Sequence, residues 1–129
     1  RKICNEDVTI ELLISDLNGD MEQVKRIVES APDVLNHNVE TVERLYPKVR
    51  PMANLEQSLQ VLRKAKEVAP NILTKSGFMV GLGEEKSEVL ALMRKLRNAD
   101  VDIVTIGQYM QPSKKHYPVA EYVTPEQFE

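Results

Sequence analysis

The sequence has 129 residues, 42% of them hydrophobic and 29% charged, a balance that predicts one globular domain of ordinary size. Its formal net charge of -3 argues against a general nucleic-acid binder, and no apolar run approaches the roughly 20 residues that a membrane-spanning helix needs. The single cysteine, Cys4, excludes an internal disulfide and an all-cysteine metal site within this chain. We therefore expect a protein of a reducing compartment, the cytoplasm first, with mitochondria or plastids as alternatives.

The first third of the chain predicts a strand, a helix and a second strand. Residues 9–14 form a short, largely apolar run that is typical of a buried strand. Asp20, with Gln23 three residues later, predicts the start of a helix that Pro32 closes. Residues 34–40 begin as a strand and become polar at their C-terminal end. The apolar face of the helix is expected at Met21, Val24, Ile27 and Val28.

The middle of the chain predicts two helices of different length. The short one covers residues 41–46 and ends at Pro47. The longer one starts at Asn54, which has Gln57 at the capping-box position, and it ends at Pro70. Its buried stripe is expected at Leu55, Leu59, Leu62 and Ala65 or Val68.

The last part of the chain predicts two strands, over residues 72–80 and 101–109, with a helix over residues 85–98 between them. Residues 124–127, Thr-Pro-Glu-Gln, are typical of a helix start. Because the chain stops at Glu129, we expect a piece of a longer protein, with a frayed terminal turn as the alternative. The apolar face of the helix is expected at Val89, Leu92, Met93 and Leu96.

The resulting order β-α-β-α-β-α-β predicts an α/β fold in which helices cover a parallel sheet. Four such strands fit either an open doubly wound sheet or part of a barrel. We expect residues 1–129 to form a single partial domain, truncated at both ends.

Three glycines punctuate the third predicted strand and the turn after it: Gly77, Gly81 and Gly83. The amides at the start of the following helix suit a negative group such as a phosphate or a carboxylate. A plain strand-to-helix turn, in which the glycines serve geometry alone, is the alternative. As a dinucleotide fingerprint the pattern is incomplete, because it has two of the three glycines and follows the third strand.

Polar residues follow the second predicted strand, where a parallel sheet places its ligands. Asn38 and Glu40 are two residues apart, so they share one side of an extended strand and could hold vicinal hydroxyls. They could equally cap the next short helix. His37 would point the other way, which favours a packing histidine over a catalytic base.

The other strand ends add polar groups without a nucleophile–base pair or metal-ligand spacing. Lys75 and Ser76 lie in the third strand, and Gln108 and Tyr109 end the fourth. Residues 114–116, Lys-Lys-His, form a small basic patch that is most often solvated surface but could attract an acidic partner.

Taken together and in order, four segments resemble lipoyl synthase. The Asn-His-Asn and Gly-Leu-Gly-Glu parts are shared with biotin synthase and other radical S-adenosylmethionine enzymes, whereas Thr-Lys-Ser-Gly and Gly-Gln-Tyr-x-Gln-Pro-Ser point to lipoyl synthase in particular. The four segments are residues 36–40 (Asn-His-Asn-Val-Glu), 49–51 (Val-Arg-Pro), 74–84 (Thr-Lys-Ser-Gly-Phe-Met-Val-Gly-Leu-Gly-Glu) and 107–113 (Gly-Gln-Tyr-Met-Gln-Pro-Ser).

The resemblance implies a (β/α) barrel of which this chain is about the third to the sixth strand. It implies insertion of two sulfur atoms into an octanoyl chain that is attached to a lysine of a carrier protein or domain. One [4Fe-4S] cluster cleaves S-adenosylmethionine to a deoxyadenosyl radical, and a second cluster is the sulfur source. Such chemistry needs positioning and exclusion of water more than a protein base, so no catalytic residue is expected here.

The resemblance also implies cofactor-binding roles for eight residues, and it replaces the phosphate reading of the glycine turn with a carboxylate. The expected contacts are the ribose hydroxyls for Asn38 and Glu40, the methionine carboxylate for Lys75 and Ser76, the methionyl part for Gly81 and Gly83, and the adenine for Gln108 and Tyr109.

The chain departs from the family pattern in its cluster ligands. The three-cysteine radical motif, the second cysteine set and the C-terminal cluster-binding serine are missing, and Cys4 matches none of them. Residues 14–18 and 52–55 also differ from the family's usual residues. We therefore expect the cluster ligands outside this chain and an inactive isolated fragment. The alternatives are a biotin-synthase-like paralogue, a noncatalytic nucleoside-binding module, or a scaffold without a ligand that associates through its open sheet edges.

Overall fold

The computed structural model describes residues 8–129, so Cys4 lies outside the described residues. Within that range no helix combines the length and the apolar character needed to cross a membrane. The strands are β1 (Glu11–Leu13), β2 (Val34–Asn36), β3 (Leu73–Val80) and β4 (Ile103–Gln108). The helices are α1 (Met21–Glu29), α2 (Tyr46–Val49), α3 (Leu55–Val68), α4 (Lys86–Asn98) and α5 (Pro125–Phe128), and two 3-10 turns cover Leu17–Gly19 and Glu43–Leu45.

The four strands form one parallel sheet in the order β1-β2-β3-β4. This confirms the α/β prediction. A doubly wound sheet reverses its strand order at a switch point, whereas a barrel wall adds strands in sequence. The sequential order therefore fits part of a barrel of the TIM type.

The two faces of the sheet differ because side chains alternate along each strand. On β3, Phe78 and Val80 are 3% and 7% exposed and pack under the helices. Lys75, Gly77 and Met79 alternate with them and lie on the opposite face, where Lys75 and Met79 are half-buried. We call these the covered face and the open face.

The covered face builds a core in two parts, and α3 contributes to both. Leu59 and Leu62 pack with Phe78 and with α4, whereas Val61 and Ala65 pack with α1. Each fully buried leucine of this kind contributes about 1.5–3 kcal/mol of transfer free energy. The predicted stripe of α3 is confirmed at Leu55, Leu59, Leu62 and Ala65, all 4% exposed or less.

The helix caps predicted at Asp20 and Asn54 are present. The Asp20 carboxylate accepts from the backbone N–H groups of Glu22 and Gln23 at 3.1 and 3.2 Å. Asn54 Oδ1 accepts from the Gln57 N–H at 3.2 Å. The Gln57 side chain does not return to the cap; its Nε2 donates to Asp16 at 3.0 Å and ties α3 to the turn after β1.

Several predicted boundaries are wrong. Pro47 does not end a helix but lies in the first turn of α2, where its missing N–H has no intrahelical partner to lose. Strands β1 and β4 are shorter than predicted, because only residues that pair with a neighbour extend the ladder. Met93, predicted on the buried face of α4, is 40% exposed.

Candidate functional site

A bulge after β2 places Asn38 and Glu40 beside β3. The N–H groups of Val39 and Glu40 both donate to the Gly77 carbonyl at 3.0 Å, and the Glu40 carbonyl accepts from Met79 at 2.8 Å. Two residues thus oppose one, as in a β-bulge. Glu40 has a φ of 66°, so the chain is not extended there, and the prediction that Asn38 and Glu40 share one side of an extended strand is wrong. The double acceptor at Gly77 turns the chain at this point.

On the open face, the side chains of Asn38 and Thr105 lie directly over Gly77. A Cβ built on Gly77 would lie 2.6 Å from Thr105 Oγ1 and 3.0 Å from Asn38 Oδ1. The strand register is consistent with this contact, because Gly77 of β3 pairs with Thr105 of β4. We call this group of Asn38, Gly77 and Thr105 the Gly77 cradle. It brings an amide and a hydroxyl together over a glycine, because a residue without a Cβ leaves room for both side chains.

A cleft of about 340 Å³ lies beside the bulge, at the carboxyl ends of β3 and β4. Glu40 is the only carboxylate among its described lining residues. Met79 and Tyr109 contribute apolar surface. The lining consists of Glu40, Lys48, Val49, Arg50, Met79, Tyr109, Pro112, Lys115, His116 and Tyr117.

Arg50 fixes the backbone between Asn38 and Glu40. Its Nη1 donates at 3.3 Å to the carbonyls of Asn38 and Val39 and to the Tyr46 hydroxyl. The guanidinium lies 5.5 Å from the centre of the Tyr46 ring. The Tyr46 hydroxyl donates to the Val39 carbonyl at 2.7 Å, and burial raises its pKa, which keeps this donor protonated. The Arg50–Tyr46 pair therefore positions both polar side chains.

Lys75 and Ser76 lie on opposite faces of β3. Lys75 Nζ lies 3.0 Å from both carboxylate oxygens of Glu11 on the open face, and Glu11 also accepts from Asn36 Nδ2 at 2.7 Å. These hydrogen bonds lower the pKa of Glu11 and keep it charged. The Ser76 side chain is fully buried on the covered face. The structure does not bring the two side chains together.

The amides of the glycine turn already have a carboxylate partner. Glu84 accepts from the N–H of Gly81 at 2.6 Å and from that of Leu82 at 2.9 Å. Gly81 has a φ of 95° and Gly83 a φ of 93°, a region that favours glycine. The chain's own carboxylate thus occupies these two donors, which leaves no reason to place a phosphate on them.

Gln108 holds the segment that returns over Gly81. Its Nε2 donates to the Glu121 carbonyl at 3.1 Å, and its Oε1 accepts from Val123 N–H at 2.8 Å. A Cβ on Gly81 would collide with the Gln108 amide and the Glu121 carbonyl. Tyr109 differs, because it lines the cleft. The cofactor roles of Gly81, Gly83 and Gln108 stay predictions, and the structure gives Gly81 and Gln108 a packing role.

An ion pair ties the glycine turn to the 3-10 turn at residues 43–45. Arg44 contacts both Glu88 oxygens at 2.7 and 2.8 Å and donates to the Gly83 carbonyl at 2.9 Å. Glu88 also accepts from the Glu85 N–H at 2.8 Å. The hydrogen bonds from Arg44 and then from Glu85 lower the pKa of Glu88 to about 2.

His37 is a packing residue, as favoured from the sequence. It is 1% exposed, and its Nδ1 lies 3.0 Å from the Ile14 carbonyl. Burial is the main cause that lowers its pKa, so the ring stays neutral. Its Nε2 has no hydrogen-bond partner among the described residues.

Residues 8–129 contain no cluster of three or more histidine, cysteine, aspartate or glutamate side chains that could hold a metal ion. The whole sequence has one cysteine. A [4Fe-4S] cluster takes cysteine thiolates as ligands, so this chain's own donors do not fit one.

Sequence reasoning missed three residues of the site. Arg50 belongs to the Val-Arg-Pro segment, which by itself predicts no contact. Met79 and Thr105 are predicted only as strand residues. The period-two alternation that puts Lys75 and Gly77 on one face also puts Met79 there, and this signal could have found it.

Comparison with known proteins gives the family. The sequence model of the Radical SAM superfamily matches residues 1–107. The lipoyl synthase of Caldanaerobacter subterraneus subsp. tengcongensis is 59% identical over 121 residues, which are 94% of this chain and 43% of that protein. The lipoyl synthase of Caldicellulosiruptor bescii is 58% identical over 120 residues, 93% of this chain and 41% of that protein.

The lipoyl synthase of Rubrobacter xylanophilus is 54% identical over 119 residues, 92% of this chain and 37% of that protein. The chain therefore spans less than half the length of the curated relatives it matches. The resemblance to lipoyl synthase drawn from the motifs is confirmed as a similarity of sequence. Because the superfamily model covers most of its residues, the chain belongs to the Radical SAM superfamily.

Proposed function

We propose that this chain supplies much of the S-adenosylmethionine pocket of a lipoyl synthase. The observation that carries the proposal is the Gly77 cradle, where two polar side chains flank a backbone position that has no room for a Cβ. The identity of 50% to 59% with curated lipoyl synthases supports the choice of reaction.

The residues of the site fit the chemistry of this cofactor. S-adenosylmethionine joins a nucleoside to an amino acid, so its pocket needs partners for ribose hydroxyls and a cation for the carboxylate. Asn38 and Glu40 would hold the hydroxyls. Lys75 would hold the carboxylate in exchange for Glu11. The cleft of about 340 Å³ falls within the range of roughly 300–1,000 Å³ that is typical of small-molecule pockets.

The remaining predicted residues fit to different degrees. Tyr109 lines the cleft and would lie near the adenine, with Gln108 holding the strand end beneath it. Gly81 and Gly83 would support the methionyl part through the turn they form. Ser76 would contribute through its backbone alone, because its side chain is buried on the covered face.

When bound, the cofactor supplies hydrogen-atom abstraction from carbon, and two sulfur atoms then replace two hydrogen atoms of the octanoyl chain. This chain's residues bind, orient and exclude water. The substrate is an octanoylated carrier protein or domain in a reducing compartment such as the cytoplasm. The cluster ligands lie outside these 129 residues, so the isolated chain should form no cluster on iron–sulfur reconstitution.

The test uses the natural full-length chain with its clusters reconstituted. Supplied with S-adenosylmethionine and an octanoyl-lysine peptide, it should give a product that has gained two sulfurs by mass spectrometry, with two hydrogens fewer in the disulfide form than in the dithiol form. An unchanged peptide together with sulfur insertion into dethiobiotin would overturn the proposal in favour of a biotin-synthase-like enzyme.

A binding measurement tests the pocket itself. Asn38→Ala should weaken S-adenosylmethionine binding by about tenfold, since it removes one side of the cradle. The matched control is Asn98→Ala, at the exposed end of α4. Equal binding by the two variants would contradict the assignment of the pocket.

A further inference from the structure

The rim of the cleft concentrates positive charge on a protein that is acidic as a whole. Lys48 and Lys115 both line the cleft and are exposed, and Lys114 is the exposed neighbour of Lys115. We call Lys48, Lys114 and Lys115 the basic rim. The complete sequence has 20 acidic and 17 basic residues, so the positive charge of the rim is opposite in sign to the net charge of the protein.

The three lysines of the basic rim, like several other cations of the described residues, take part in no ion pair. Six cations of the described residues are engaged in ion pairs within 4.0 Å, whereas no such pair involves the basic rim. Inside the cleft the single carboxylate, Glu40, faces Arg50 as well as the rim, so it cannot neutralise them all. The six paired cations are Arg44, Arg63, Lys64, Lys66, Lys75 and Lys95.

The location of the rim decides what it can bind. It lies at the carboxyl ends of the strands, the end at which parallel barrels admit their substrates. A substrate attached to a lysine of another protein reaches this end only if the surface of that protein comes against the rim. Unpaired cations there attract a complementary acidic surface and repel a basic one.

We propose that the basic rim is the docking surface for an acidic face of the substrate-bearing protein. This inference rests on the proposed function for the identity of the partner, but its binding test does not require turnover. Exposed rim charges act chiefly on association and on partner choice, so their loss should affect the carrier protein more than a small substrate.

The test compares two substrates on the full-length, cluster-loaded protein: an octanoylated carrier domain with an acidic face, and a short octanoyl-lysine peptide without acidic residues. The variant is Lys48→Glu/Lys115→Glu. The matched control, Arg26→Glu/Arg94→Glu, makes the same charge change on α1 and α4, at exposed positions without a recorded ion pair.

The rim variant should raise the ratio of the carrier KM to the peptide KM by about tenfold, and the control should change it by less than about twofold. The neutral variant Lys48→Gln/Lys115→Gln should give an intermediate ratio. Added salt should raise the carrier KM of the unmodified protein and have less effect on the rim variant. An unchanged ratio in the rim variant would overturn the proposal.

Direct binding separates this inference from the proposed function. Fluorescence anisotropy of the labelled carrier domain should show weaker binding to the rim variant than to the control. If neither substrate is converted but this difference is present, the proposed function fails and the docking surface stands. If a short RNA competes with the carrier domain as well as unlabelled carrier does, the rim is a general polyanion site and the inference is wrong.

Discussion

The two ends of the parallel sheet use their polar groups in different ways. At the amino end, Asp102 accepts from the Thr74 N–H at 2.7 Å and pairs with Lys66 at 2.7 Å. Its charge therefore stabilises the fold. At the carboxyl end, the basic rim takes part in no ion pair among the described residues, and the Gly77 cradle brings the Asn38 amide and the Thr105 hydroxyl together. In barrels, residues at the carboxyl ends of the strands serve function, whereas residues at the amino ends serve stability. The sheet thus separates ligand binding from folding.

The largest effect should come from filling the cradle. Gly77→Ala should weaken S-adenosylmethionine binding by about a hundredfold, near 2.8 kcal/mol, because the new methyl group would push the side chains of Asn38 and Thr105 out of their positions. Isothermal titration calorimetry on the full-length protein measures the change.

The control is on the neighbouring strand and the same face. A Cβ on Gly107 meets nothing within 4 Å, so Gly107→Ala should have a much smaller effect. If both alanine variants weaken S-adenosylmethionine binding alike, the lost affinity comes from a general disturbance of the strands. That result would contradict a binding role for the carboxyl end of the sheet.

The next effect tests the amino end. Asp102→Ala leaves the Thr74 N–H, in a residue that is 0% exposed, without its acceptor, and this should cost about 1–3 kcal/mol of stability. Urea unfolding measures it, with Glu29→Ala, at an exposed position of α1, as the control. Binding of S-adenosylmethionine at the carboxyl end should not change. A loss of affinity in Asp102→Ala would show that binding and stability are not separated between the two ends of the sheet.

A smaller effect should follow from loosening the bulge. Arg50→Lys keeps the charge but loses the planar fork that contacts two carbonyls and Tyr46. We expect about fivefold weaker S-adenosylmethionine binding, near 1 kcal/mol, in Arg50→Lys and Arg50→Ala alike. Full affinity in the lysine variant would show that charge alone matters.

The smallest effect concerns pH. The pKa of Glu88 is about 2 in the folded protein, below its ordinary value of 4.5, so its contribution to stability is present above pH 4.5 and is lost as pH falls toward 2. Arg44→Gln should return the pKa toward its ordinary value. A carboxyl NMR titration of Glu88 tests this, and an unchanged low pKa in the variant would show that Arg44 is not its cause.

Local signals were enough to predict most of the fold. Asp20 and Asn54 cap their helices through their own side chains, so the residues near each cap carry the information. The order of strands in the sheet is a tertiary property, so the pattern of elements alone is compatible with a doubly wound sheet or a barrel, and only the family resemblance implies the barrel. Pro47 misled because proline is compatible with a helix start as well as a helix end.

The site was predictable in part. The polar residues at the strand ends could be named, because parallel sheets place ligands there. The bulge at Glu40 could not, since it depends on the Gly77 carbonyl accepting from two amides across strands. The opposite placement of Lys75 and Ser76 follows from strand alternation alone and was available from the sequence.

The most direct test of the central claim is a crystal structure of the full-length protein with S-adenosylmethionine bound. We expect the ribose hydroxyls within hydrogen-bonding distance of Asn38 and Glu40, above the Gly77 cradle on the open face of the sheet. A cofactor bound at the amino end of the sheet, or in contact with neither side chain, would contradict the account.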